Sequence, residues 1–249
     1  FDVLSPLAFL EDIEHEAKSA KKRIWAQAME VEPGKIASRL LNLVEEAGQI
    51  GFDARLNIDH YSLMVTDGLP NFPPVLISRD WRKRLQIRKD IFSRIENNGA
   101  KISYINKPTL LEKFVYTMGR NHMKIFIVDD IAWIGGVNFA DGYFRSQDIM
   151  VKITDSVIVD PIAQVFMQVH ENKLHDDEIF QTEHNATLFI DSGQTGKSVI
   201  LDCAVRMVEK ADHLVQIATA FIPDSVFLDA LVNAENRGVR IELAVPPPG

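Results

Sequence analysis

The chain has 249 residues, 46% hydrophobic and 25% charged, an ordinary globular composition that excludes a disordered or collagen-like protein. Its 27 Lys and Arg against 35 Asp and Glu leave a formal net charge of −8, which argues against nucleic-acid binding by the surface as a whole. No apolar run approaches the roughly 18 residues of a membrane-spanning helix, the N-terminus lacks a secretory pattern, and the lone Cys203 excludes an internal disulfide, so a soluble protein of a reducing, cytoplasmic compartment is expected.

Ser5-Pro6 reads as an N-cap followed by proline at the first helical position, with Leu7, Leu10, Ile13, Ala17 and Ala20 at helical spacing to about Lys22. A strand follows at Ile24 to Met29. Pro33-Gly34 opens a second helix, striped by Ile36, Leu40, Leu41, Val44 and Ala47 and stopped by Gly48, and a second strand covers about Ala54 to Ile58. Residues 66–84, with Asp67-Gly68, Pro70, Pro73, Pro74 and the charged run from Arg79 to Arg84, read as a loop with a basic shoulder. Next come a helix from about Leu85 to Asn97 and strands at Lys101 to Ile105, His122 to Val128, Ala132 to Ile134 and Asp148 to Ile153. A helix from Pro161 to about Leu174 follows, and the alternation with late hairpins predicts a mixed α/β sheet flanked by helices.

The chain after Asp191 resembles its own beginning. A shift of 190 pairs Ile24 with Leu214, Ala28 with Ala218, Pro33 with Pro223, Ile36 with Val226, Leu41 with Leu231, Glu45 with Glu235 and Gly48 with Gly238, five of the seven pairs being identical. A duplicated strand-helix-strand unit with an incomplete second copy is therefore expected, divided as residues 1–185 and 186–249.

The stretch from Asn121 to Asn138 carries the chemistry. Residues two apart on a strand share a face, so His122 and Lys124 point one way while Met123, Ile125 and Ile127 point the other. Asp129-Asp130 turns the chain back, and Gly135-Gly136 lets the backbone approach closely so that Asn138 returns beside the His-Lys pair. A nucleophile, a cation and an amide donor at one locus suit attack at phosphorus, neutralisation of charge and binding of oxygen.

His122, Lys124 and Asp129 in the pattern His-x-Lys-x4-Asp, followed by Gly135-Gly136-Val137-Asn138, resemble the signature of the phospholipase D superfamily. Arg120-Asn121-His122 and the continuation Phe139-Ala140-Asp141-Gly142-Tyr143 look most like bacterial cardiolipin synthases, and the likeness covers almost the whole chain. The resemblance implies the fold of that superfamily and phosphatidyl transfer or phosphodiester hydrolysis through a phosphohistidine, with no metal or cofactor. It also implies catalytic roles for the signature residues His122, Lys124 and Asp129. His122 would be nucleophile or acid/base, Lys124 and Asn138 would bind phosphate, and Asp148 would orient the histidine. Within that signature Asp129 reads as a structural residue of the hairpin rather than a group that touches substrate. The substrate implied is a phospholipid or another phosphodiester, met by peripheral association with the cytoplasmic membrane. The net charge counts against a nuclease on the same fold, which stays the alternative together with a silent phosphate-binding module.

The mechanism that the resemblance implies needs two histidines. The repeat offset places the second near position 312, and none of His15, His60, His170, His175, His184 and His213 is followed two residues later by lysine. With Phe1 at the start and Pro246-Pro247-Pro248-Gly249 at the end, either a fragment of a longer protein is expected, or self-association that assembles the site from two copies. Asp59-His60 is a candidate lining of the same cleft, since ligands of α/β sheets gather beyond strand ends. Gly193 to Ser198 lacks the first glycine of a phosphate-binding loop and reads as the lead into a helix from Ser198 to Lys210, and Phe221 and Phe227 read as core.

Overall fold

A computed structural model describes residues 1–66, 69–70, 79–107, 121–182, 186–194, 196–219, 222 and 225–245. Asp67-Gly68, Pro73-Pro74, Arg120, His184, Phe221, Pro223 and residues 246–249 lie outside them. The chain divides into two compact units, Phe1–His175 and Asp176–Gly249.

The first unit is built on a mixed seven-stranded sheet in the order β1-β9-β8-β7-β2-β3-β6. Its parallel part is β2 (Arg23–Ala28), β3 (Asp53–Asp59) and β6 (Lys101–Ile105), and its antiparallel part is β7 (Ile125–Val128), β8 (Ile131–Gly135), β9 (Met150–Ile153) and β1 (Asp2–Leu4); a short helix α3 (Tyr61–Met64) and a ribbon of β4 (Val65–Thr66) with β5 (Leu69–Pro70) follow β3. Helices α1 (Pro6–Ala17), α2 (Ala37–Gln49) and α4 (Arg79–Asn97) contribute Phe9, Leu10, Ile13, Leu40, Leu41, Val44, Phe92 and Ile95 to the main core. Against them stand Ile24, Ala26, Ala28, Leu56, Ile58, Phe126 and Val128, the residues that share one face of their strands. On the other face, Trp25 stacks on Phe166 of α5 (Ser156–His170), with ring centroids 5.1 Å apart. The sheet is covered on both sides, so β7 reads as a continuous apolar run instead of an alternating one.

The second unit has an antiparallel hairpin of β10 (Glu178–Gln181) and β11 (Thr187–Ile190), followed by α6 (Val199–Glu209), β12 (Leu214–Ala218), α7 (Val226–Asn236) and β13 (Arg240–Ala244). β12 pairs in parallel with β13, as β2 does with β3, and Val208, Ala230, Leu231, Ala234 and Val239 form a small separate core. Ser198 caps α6 by accepting from Leu201 N–H at 3.1 Å, which fits a loop leading into a helix.

Several expectations are corrected. α1 stops at Ala17, five residues before Lys22. The basic run from Arg79 belongs to α4, since Arg and Lys are good helix formers and no proline follows Pro74 there. α5 starts at Ser156 with Asp155 as N-cap, accepting from Val157 N–H at 3.0 Å, so Pro161 lies inside the helix and not at its start. The hairpin of β10 and β11, which pair with each other, belongs to the second compact unit. Leu214 of β12, Leu243 of β13 and Val245 remain exposed.

Two carboxylates from the hairpin region fasten distant backbone. Asp129, at φ 47°, accepts the backbone N–H groups of Lys21, Lys22 and Arg23 at 2.8, 2.9 and 3.0 Å, tying the β7-β8 turn to the start of β2. Asp141 accepts those of Lys35, Ile36 and Ala37 at 2.9, 2.9 and 3.0 Å and caps α2, whose own N-cap, Ile36, has no side chain able to do so. Burial works against ionisation of Asp129, but its three N–H donors hold the carboxyl below its ordinary value of 3.8. Its contribution to stability is thus present above about pH 3.8 and is lost as pH falls through the lower folded value. Asp129→Ala should cost about 1–3 kcal/mol at pH 7, read as a lowered thermal midpoint, with Asp129→Asn intermediate because asparagine keeps one acceptor and tolerates positive φ. Equal midpoints for all three proteins at neutral pH would contradict this role.

Candidate active site

Registers within the sheet decide which residues meet. β2, β3 and β6 end at Ala28, Asp59 and Ile105, while antiparallel β7 begins opposite Gln27, β8 ends at Gly135, and Gly135 faces Met150 at the start of β9. Residues just beyond these ends therefore share one edge of the sheet: Glu30, Asp59, Asn121, His122, Lys124, Asn138 and Asp148. This is where ligands of open α/β sheets gather.

The ladder of β7 starts at Ile125, so His122 and Lys124 occupy an extended approach to the strand and not the strand itself. His122 is exposed, whereas Lys124 is only 8% exposed. The Lys124 ammonium turns back to donate to the carbonyl oxygen of His122 at 2.6 Å, locking the two residues into one local geometry. Burial pushes the Lys124 pKa down, and the carboxylates of Asp148, Glu30 and Asp59 offset only part of that, leaving it below the ordinary lysine value. Asn138 is buried just after β8, and its Oδ1 accepts from Glu30 N–H at 3.2 Å, which leaves Nδ2 as the end able to donate to a ligand oxygen.

The carboxylates around the lysine are each engaged. Asp59, fully buried, accepts from Asn106 Nδ2 and from Asn121 N–H, both at 2.7 Å. Glu30 Oε2 accepts from the Tyr143 hydroxyl at 2.7 Å. Asp148 accepts from Ile149 N–H at 2.8 Å and lies against Gly136, where a Cβ would collide with its carboxylate. Gly135 is constrained in the same way by the carbonyl of Ile149. The glycine pair is thus needed for close approach of the strand and the Asp148 carboxylate.

The structure brings His122, Lys124, Asn138 and Asp148 to one edge and adds Asp59, which the sequence marked as a candidate lining. It places Asp129 at the opposite end of β7, its carboxylate accepting from the backbone N–H groups of Lys21, Lys22 and Arg23. Glu30, Asn121 and Tyr143 were not singled out. Their signal was weak, a polar residue just past a strand end in each of the first two cases and a tyrosine five residues after Asn138 in the third.

Comparison with known proteins places the chain in a family. The model of the cardiolipin synthase, phospholipase D-like domain matches residues 13–170. The chain is 26% identical over 183 residues to a mitochondrial CDP-diacylglycerol--glycerol-3-phosphate 3-phosphatidyltransferase of Gallus gallus, a match covering 68% of this chain and 32% of that protein. It is 23% identical over 186 residues to a minor cardiolipin synthase of Bacillus subtilis, covering 69% and 46% respectively. The alignments thus take in about a third to a half of these relatives' length. Among solved structures, the phosphatidylserine synthase of Haemophilus influenzae matches with a TM-score of 0.67 at 13% identity, over 98% of this chain and 61% of that one, a likeness of fold.

The lowered Lys124 value can be measured directly. Because the fold disfavours the charged form, the unfolded chain binds more protons between the folded value and 10.5, and stability rises with pH across that window. An NMR titration of the lysine side chains, with Lys124 assigned by its loss in Lys124→Arg, should show a midpoint below 10.5. A midpoint at or above 10.5 would contradict the burial argument.

Proposed function

We propose, from the premise that the chain belongs to the cardiolipin synthase, phospholipase D-like domain family, that it carries one reacting half of a site for phosphatidyl transfer or phosphodiester hydrolysis. The observation behind this reading is an exposed imidazole whose own carbonyl holds a buried ammonium, at the edge where Asn138 offers an amide.

In the proposed reaction a ring nitrogen of His122 attacks phosphorus, forming a P–N bond as the P–O bond to the leaving alcohol breaks. Lys124 and Asn138 balance and bind the non-bridging oxygens. A second histidine, supplied from outside the 249 residues or by another copy, gives the leaving oxygen its proton. It then takes a proton from the acceptor alcohol or water, whose oxygen attacks phosphorus and breaks the P–N bond, restoring His122. Asp148 orients the imidazole in this scheme. The parallel strand-helix-strand units at β2-α2-β3 and β12-α7-β13 support a duplicated ancestry.

A phospholipid is the preferred substrate, given the family and the net charge of −8, with a nuclease on the same fold as the second reading. Among the described residues no helix is long and apolar enough to cross a membrane, so the lipid would be met at the membrane surface.

A phosphodiester with a nitrophenyl leaving group separates nucleophile from acid, because nitrophenolate departs without a proton. The 249-residue chain should release a stoichiometric burst and retain an acid-labile phosphoryl adduct, unaffected by a chelator, and folded His122→Ala should give neither. On phosphatidylglycerol, whose leaving alcohol needs a proton, cardiolipin formation by the chain alone should lag by about 10²- to 10⁴-fold behind an assembly that supplies the second histidine. A burst in folded His122→Ala, or none in the native chain, would overturn the proposal.

A further inference from the structure

A line of buried amides crosses the sheet beneath the site, and nothing in the chemistry above uses it. His170 Nδ1, at the end of α5, lies 2.6 Å from Asn57 Oδ1 on β3. Asn57 Nδ2 donates to Gln27 Oε1 on β2 at 2.9 Å and to the Phe166 carbonyl at 3.2 Å. Gln27 Nε2 in turn donates to Asn121 Oδ1 at 3.2 Å, and that same oxygen accepts Met123 N–H at 2.9 Å. Gln27 and Asn57 are fully buried, on strands whose other buried residues in this region are mostly apolar.

The direction of every bond in this line is fixed by two backbone groups. Met123 N–H demands an acceptor, so Asn121 must present its oxygen to it. The Phe166 carbonyl demands a donor, so Asn57 must present its nitrogen. Flipping either amide would set two acceptors or two donors face to face inside the sheet and leave buried polar groups unpaired. His170 must then carry its proton on Nδ1.

We propose that Gln27, Asn57 and His170 form a positioning relay that fixes the backbone on either side of His122. Asn121 and Met123 flank that residue: the relay holds the Asn121 side chain, whose Oδ1 in turn holds the Met123 N–H, while Asp59 separately accepts the Asn121 N–H. His122 is exposed and lies three residues before β7. The relay holds the residues on either side of it from below. Gln27 and Asn57 touch no reacting atom and act only through Asn121.

This inference rests on the reading of His122 as the attacking group, and its test keeps the two apart. Gln27→Met removes the donor at nearly unchanged volume, and Asn121→Ala, in a half-buried approach segment, provides a variant that leaves the core intact. In the full chain each should slow the nitrophenolate burst by about 10- to 100-fold, the scale of a misplacement of about 1 Å, with KM changed by less than about twofold. Each should also speed hydrogen exchange at the Met123 amide while leaving the β7 amides protected. His122→Ala is run in parallel. If it abolishes the burst while both relay variants keep the native burst rate and native Met123 protection, the relay is overturned. If folded His122→Ala keeps the burst, the reading of His122 fails, and Met123 exchange alone decides the relay: faster exchange supports it and unchanged exchange refutes it.

Discussion

The Lys124 ammonium is taken out of water at the edge of the sheet, and the rest of the site follows from the need to make that tolerable. Removing such an ion from solvent costs several kcal/mol even after relaxation. The cost is offset by the His122 carbonyl and by the fields of Asp148, Glu30 and Asp59. Each carboxylate is itself held, by Ile149 N–H, by the Tyr143 hydroxyl, and by Asn106 with Asn121. The result is a cation fixed in place before any anion arrives, which is the condition for stabilising charge that develops during a reaction. Because the ammonium is tied to the backbone of His122, cation and imidazole cannot drift apart independently.

The fold delivers this arrangement through contacts between parts of the chain more than a hundred residues apart. Asp129 fastens the β7-β8 turn to the entrance of β2, and Asp141 fastens the segment after β8 to the start of α2. Between those anchors lie the two strands whose ends carry Lys124 and Asn138. Both carboxylates accept backbone N–H groups and lie close in sequence to His122, Lys124 and Asn138. In the pattern His-x-Lys-x4-Asp the first two residues precede β7, and the aspartate fastens the far end of the same strand.

Much of this was legible in the sequence, for reasons that also explain what was not. β2, α2 and β3 stood out because Ile24 to Met29 and the stripe Leu40, Leu41, Val44 and Ala47 carry strong periodic signals. β1 is three residues long and exists only by pairing with β9, a contact no local pattern reveals. β7 starts at Ile125, three residues after the His122 that the apolar alternation marks as its beginning, and before it only the Lys124 carbonyl accepts from the neighbouring strand, at Gly135 N–H, among the backbone bonds described. His122, Lys124, Asn138 and Asp148 were readable as a group from spacing and resemblance. Asp141 as the cap of α2 and the relay through Gln27 and Asn57 were not, since each depends on registers between strands. Their trace in the sequence was a glutamine and an asparagine inside otherwise apolar runs.

In the proposed reaction the edge formed by His122, Lys124 and Asn138 holds a tetrahedral oxyanion. A crystal structure of the chain grown with tungstate, a phosphate analogue that scatters strongly, tests this. The anion is expected within hydrogen-bonding distance of the His122 ring, Lys124 Nζ and Asn138 Nδ2, and should be lost from crystals of Lys124→Ala. Tungstate bound elsewhere with this edge empty, or bound here equally well without the Lys124 ammonium, would contradict it.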